Sequence, residues 1–252
     1  MLNKNQDASY SETEWIFEDS ELNTSFRAVQ YRLSRDAFQL LTCGIGLLKS
    51  QNRMEVPETN HQIQLETKFY RTLMMIPLTG VEYEEYLIKC FDEIDAERFW
   101  FYNKETETED KFTWMSMIHV NSEYMEWQLS ENAFQYICKH PFPKYNHFQL
   151  GFFTGEYTSR IFDLVCSYQQ DGCLKIQYDE LKRLFKMKNN KDLNDENIMQ
   201  EIILPSLKEI EKEGEEFYIM NDPSETSDML TFRMVMRSDE EKKQIYNRHY
   251  KS

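Results

Sequence analysis

One succession of elements occurs twice in this chain, at a separation of roughly 113–117 residues, and it limits the fold more than any composition figure does. In the later copy a short strand, Leu174-Lys175-Ile176-Gln177, leads into a helix over residues 179–185 and an Asn/Lys-rich turn. A longer helix follows from near Asn194 to Glu213, then two strands, residues 217–220 and 230–236, around the polar loop 221–228. In the earlier copy Ile63-Gln64-Leu65-Glu66 answers Ile176-Gln177-Tyr178-Asp179. Phe91, Glu93 and Ile94 of a helix over residues 87–97 answer Leu207, Glu209 and Ile210, and Phe101-Tyr102 answers Phe217-Tyr218. An acidic loop, 103–110, and a strand, 112–120, complete the match. The separation is far above the period of about 20–50 residues found in solenoids, so it indicates two related domains in tandem.

Strand, helix, helix and hairpin in that order outline a winged helix, which predicts an α+β chain of two tandem winged-helix domains related by internal duplication. In the long helix Ile198, Ile202, Ile203, Leu207 and Ile210 recur at steps of three and four, which predicts one broad buried face. Asn194, Asn197, Glu201 and Lys208 fall on the other side. Pro205 predicts a kink or break, because an interior proline lacks the N–H and biases Leu204 away from helix. A winged helix presents side chains to a DNA groove in some proteins and binds protein in others.

A chain of 252 residues suits two domains of about 100–130 residues, each able to bury a core. No apolar run approaches a membrane span and no leader pattern opens the chain, so a cytoplasmic protein without membrane contact is expected. Five scattered cysteines (Cys43, Cys90, Cys138, Cys166, Cys173) never form a C-x-x-C pair and read as reduced thiols in or near the core. The net charge of −15 repels a phosphate backbone, so a DNA binder of this composition needs a local basic face. Residues 153–252 hold 15 Lys/Arg against 20 Asp/Glu, and residues 1–152 hold 14 against 24, so the later half opposes DNA less.

Residues 1–24 read as a mobile acidic arm. A first domain spans 25–150: Ser34 caps a helix through Leu48 that buries Phe38, Leu41 and Ile45, and residues 49–60 form a linker. Residues 127–129 form a further strand, and Ser130 caps a helix burying Ala133, Phe134 and Ile137. The joint falls within or just after 140–147, which holds two prolines. A second domain spans 151–237 and opens with a helix over 154–168, burying Tyr157, Ile161, Phe162, Leu164 and Val165. Residues 238–252 form a terminal helix or tail whose late positive charge suits a helix C-terminus and could also meet phosphate.

The run Tyr157-Thr158-Ser159-Arg160-Ile161-Phe162-Asp163-Leu164, followed by Leu204-Pro205-Ser206-Leu207-Lys208-Glu209-Ile210, resembles the second winged-helix domain of the plasmid replication initiators called initiator Rep proteins. In that family a Tyr-Ser-x-Arg-Leu-Tyr-Glu-Leu helix and a Leu-x-Pro-Ala-Leu-x-Glu-Ile helix hold these places. The first half is similar in Tyr31-Arg32-Leu33-Ser34 and in the strand holding Trp114, so the resemblance covers about residues 25–237. It implies a bacterial protein that binds repeated origin sequences (iterons) in double-stranded DNA, forms a homodimer through its first domain and recruits host replication proteins. Where the family is rich in Lys and Arg before the Leu-x-Pro, this chain has Met199, Gln200 and Glu201, and its wing is acidic.

What remains for DNA is a cluster of Lys182, Arg183, Lys186, Lys188 and Lys191 with Asn189, Asn190, Asn194 and Asn197. Lysines there suit phosphates and asparagines suit adenine edges, while the same residues also describe a solvated helix end and turn. Arg160, three residues before Asp163, reads as a structural ion pair sooner than a DNA contact. The five histidines show no ligand spacing, and no phosphate-loop, dinucleotide or nucleophile-elbow motif is present. No catalytic site, metal or cofactor is therefore expected. Three functions remain: a plasmid-type initiator, an initiator-like protein that has lost DNA binding and acts through protein contacts, and a separate transcription regulator with tandem winged helices.

Overall fold

The computed structural model describes residues 32–50, 61–103, 108–139, 147–168, 173–187, 194–223 and 228–251, with side chains at 49–50, 100–103, 108–110, 136–139 and 147–148 outside the description. The expected N-terminal arm, most of the linker and of the joint, and the side chain of Cys138 lie outside the description. The chain is α+β. In the first half α1 (Arg35–Ser50) precedes β1 (Gln62–Glu66), α2 (Thr67–Leu73) and α3 (Gly80–Ala96). Then come β2 (Phe99–Asn103), β3 (Thr108–Phe112), β4 (Met115–Val120), β5 (Tyr124–Leu129) and α4 (Glu131–Lys139). The second half opens with a 3₁₀ turn (His147–Phe152), α5 (Thr158–Cys166), β6 (Cys173–Gln177) and α6 (Tyr178–Leu184). A composite helix follows, made of α7 (Asp195–Ile198), a π segment (Met199–Ile203) and α8 (Leu204–Glu213). β7 (Phe217–Asp222), β8 (Met229–Met236) and α9 (Asp239–Tyr250) complete the chain.

Each half builds an antiparallel three-stranded sheet in which the strand before the helices pairs with the last strand of a hairpin: β1-β5-β4 and β6-β8-β7. The earlier hairpin is thus β4–β5, and not the pair of strands at 101–102 and 112–120 that the sequence suggests. Residues 112–120 split at Thr113-Trp114, because Trp114 turns inward against Phe99 at 4.8 Å and Phe112 at 5.6 Å between ring centres. Among the described residues β2 and β3 pair only with each other, and they form an additional hairpin whose base is held by those rings.

Burial follows the apolar pattern. One core cluster runs from Leu33 to Phe134 and holds Trp114 and Trp127, and a second runs from Leu150 to Phe232. Ser34 and Ser130 cap as their sequence contexts predict, accepting from the Ala37 and Ala133 N–H groups at 3.3 and 3.2 Å. The halves meet where Gln39 of α1 donates to the Leu150 carbonyl at 2.5 Å and to Ser159 Oγ at 3.1 Å, and where Arg35 donates to the Thr154 carbonyl at 3.1 Å.

Two further sequence expectations change. The opening helix of the second half is shorter than 154–168, since Thr154 and Gly155 are held by a distant glutamate described below. Leu204 stays helical before Pro205 (φ −60°, ψ −43°), so the composite helix does not break. The widened π turn accommodates the proline, which then sits in the first turn of α8, where a missing N–H costs nothing.

Candidate nucleic-acid interface

Short helix α6 and the turn after it carry the cationic residues, and Asn194 opens the composite helix. Asn194 is an N-cap: its Oδ1 accepts from the Asn197 N–H at 2.8 Å, which removes its side-chain oxygen from base recognition. Lys188, Asn189, Asn190 and Lys191 lie outside the described residues.

Each described cation of the cluster faces a carboxylate. Lys182 Nζ lies 2.6 Å from Asp195 and 3.1 Å from Asp179, and the hydrogen bond to Asp195 raises its pKa. Arg183 pairs with Glu180 through both ends of its guanidinium, with Nε to Oε2 at 2.7 Å. Lys186 reaches into the other half, pairing with Glu97 and donating to the Arg98 carbonyl at 3.3 Å. Sequence distance hid this compensation, because Asp195 and Glu97 arrive from other elements. These pairs are partly exposed, and pairs of that kind are worth only about 0–1 kcal/mol, so a phosphate can exchange with the carboxylate at small cost. The β7–β8 hairpin is compensated too: Arg233 donates to Asp222 at 2.6 and 3.0 Å.

Arg160 is structural. It is 7% exposed, donates to the Leu184 carbonyl at 2.5 Å and lies 4.2 Å over the Phe185 ring, which keeps it from any groove.

Sequence reasoning missed a glutamate that organises the base of each half. Glu209 accepts from the Thr154 N–H (2.6 Å), the Thr154 hydroxyl (2.7 Å), the Gly155 N–H (3.0 Å) and the Thr158 hydroxyl (2.6 Å). Burial raises its pKa, but the bonds from Thr158, Thr154 and Gly155 outweigh that and hold the carboxyl below its ordinary value. Glu93 does the same in the first half, accepting from the Ser34 N–H and, at 2.7 Å, from its hydroxyl. The match between Glu93 and Glu209 was visible as a recurrence, without its partner. An open cleft of about 690 Å³ beside α5 and α8 is lined by Glu201, Lys208, Glu209 and Lys212.

A second repeated detail is backbone strain. Among the described residues the only non-glycine residues with positive φ are Met75 and Lys186, both at 50° and both two residues past the end of a short helix. The preceding Met74 and Phe185 share φ, ψ of −91°, 8° and −90°, 6°. The C-terminal α9 is tied down by a capping box at Ser238 and Glu241 and by Glu213, which meets His249 at 2.9 Å and Arg248 at 3.7 Å. Among the described residues no helix is long and apolar enough to cross a membrane, and no group of His, Cys, Asp or Glu is placed to hold a metal.

No family model matches the chain, and no curated protein matches it. Two solved structures of RctB, a replication initiator of Vibrio chromosome II, are similar in outline. A selenomethionine derivative of its domains 2 and 3 has a TM-score of 0.46 at 10% identity, covering 79% of this chain and 82% of that one. A structure of domains 2–3 spanning residues 155–483 has a TM-score of 0.43 at 11% identity, covering 84% of each chain. At these values the likeness is too loose to carry function across.

Proposed function

We propose that the protein is a DNA-replication initiator of the iteron-binding type, built from two winged-helix domains related by duplication, with duplex contacts made by the second. The observation that supports this most is the repeated construction: the same sheet order, the same strained turn at Met75 and Lys186, and the same glutamate anchor in both halves. The resemblance of residues 157–164 and 204–210 to initiator Rep proteins supplies the function. Dimerisation through the first domain, host replication partners and a bacterial cytoplasmic setting belong to the same reading.

The test is titration of duplex DNA carrying the direct repeats beside the gene, over a salt series. Lys188→Glu with Lys191→Glu should weaken binding at every sequence and reduce the salt slope by about 2, since each neutralised phosphate contributes about 0.9. Lys186 is left intact because its charge bridges to Glu97. Absence of repeat-specific binding at low salt overturns the reading. A second reading, a dimerising protein-interaction module, is favoured by the carboxylate opposite each described cation of α6. Self-association without duplex binding is its signature.

A further inference from the structure

Helix α9 is amphipathic in an unusual sense. Its inner side buries Ile245 and is pinned by Lys242 to Glu216 at 2.7 Å and by His249 to Glu213. Its outer side carries Lys243, Tyr246, Asn247, Tyr250 and Lys251, the last four at steps of three, four, seven and eight from Lys243, so they share one face. From Lys243 to Lys251 that face carries no carboxylate of its own, with Asp239 and Glu240 one turn before it and Glu215 against the Tyr250 hydroxyl, in a chain with a net charge of −15. Tyr246 and Tyr250 are 52% and 42% exposed, with ring centres 4.9 Å apart, and Lys251 Nζ lies 5.9 Å from the Tyr246 ring centre. Tyr250 is braced from behind, edge-on to Phe152 and with its hydroxyl donating to Glu215 at 2.6 Å, so its orientation is fixed before any ligand arrives. Lys243 has no carboxylate partner among the described residues, unlike the cations of α6.

We propose that this outer face of α9 is a binding site for single-stranded nucleic acid, with Tyr246 and Tyr250 as stacking surfaces for bases and Lys243 and Lys251 set against phosphates. Exposed aromatic rings interleaved with cations are the chemistry by which unpaired strands are held without regard to sequence. A duplex hides its base faces and offers the tyrosines nothing, so the site discriminates against it. The site is separate from the α6 cluster and does not rest on duplex binding.

The experiment is fluorescence anisotropy of the full chain with a labelled thymidine 20-mer, its uridine counterpart, a duplex of the same length and labelled poly-glutamate. Saturable binding of the single strand at low salt is expected, with Tyr246→Ala weakening it about tenfold and Tyr246→Trp restoring it. Lys243→Gln should lower the salt slope by about 0.7, the share of one phosphate on a single strand, whereas Tyr246→Ala should leave the slope unchanged. The thymidine and uridine arms say which sugar is preferred. The proposal is overturned by no single-strand binding, by binding indifferent to Tyr246, or by equal Tyr246-dependent capture of poly-glutamate, which would mark an acidic protein partner. Loss of repeat-specific duplex binding in the Lys188/Lys191 variant, with single-strand binding retained, separates the two sites.

Discussion

The two halves share a plan and differ in how firmly each part of it is held. Both attach the start of their first helix to a glutamate of the long helix, but Glu209 gathers four donors from three residues, whereas Glu93 takes both of its donors from Ser34. Both place an L-residue at φ 50° after the short helix, but Lys186 is tied to Glu97 while Met75 stands 50% exposed. The aromatic cores differ as well: all four tryptophans of the chain lie at or before residue 127. A shared frame therefore sets where the anchors sit, while each half holds them with its own partners.

That comparison breaks most readily at the glutamates. Glu209→Gln should cost about 2–3 kcal/mol in urea unfolding and Glu93→Gln about 1, since hydrogen bonds to a charged acceptor exceed neutral ones. Because the tryptophans report the first half alone, Glu209→Gln should move the circular-dichroism transition more than the tryptophan-emission transition. Coincident shifts would mean the two cores unfold as one unit. The Glu209 carboxyl has a folded pKa depressed below its ordinary 4.5, so its contribution is fully present above 4.5 and is lost as pH falls from there through the lower folded value. The gap between wild type and Glu209→Gln should therefore be full at pH 6 and shrink below pH 4.5.

A smaller effect concerns Gly44 of α1, where an added Cβ would sit 2.2 Å from Trp127 Cζ2. Alanine normally gains about 1 kcal/mol over glycine in a helix, yet here overpacking of about 1–3 kcal/mol opposes it. Gly44→Ala is expected to be net destabilising in the tryptophan signal. Smallest is the strained turn. Met75→Gly should stabilise by about 1 kcal/mol by relieving the left-handed backbone, and Lys186→Gly by less, because it also loses the bridge to Glu97. Equal gains would show that the bridge contributes nothing.

The sequence made the α+β class and the apolar faces legible, because Phe38, Leu41, Ile45, Phe91 and Ile94 recur at helical spacing and are all buried. It also located α1 and α4 through Ser34 and Ser130, whose capping is a local signal. A hairpin around the acidic loop was legible, but not that it stands apart from the three-stranded sheet, since nothing in the alternation of residues 112–120 shows that Trp114 turns into the core. The candidate site was half legible for the same reason. Positive residues could be read along the chain, but Asp195 and Glu97, which neutralise two of them, meet them only through the fold.

The π segment at Met199–Ile203 has a consequence for the helix that contains it. At a uniform 100° per residue, Ile198, Ile202, Ile203, Leu207 and Ile210 would spread across about half of the circumference, too wide for one seam. The wider turn delays the rotation, so that residues on either side of it point into the same core. A π segment is one extra residue held in an α-helix, so removing one residue between 199 and 203 should return it to regular α-helix with the phase on both sides kept, whereas adding one would turn everything beyond it by about 100°. Glu209 would then swing away from Thr154, and the second half would lose its anchor and its apolar seam in a single step.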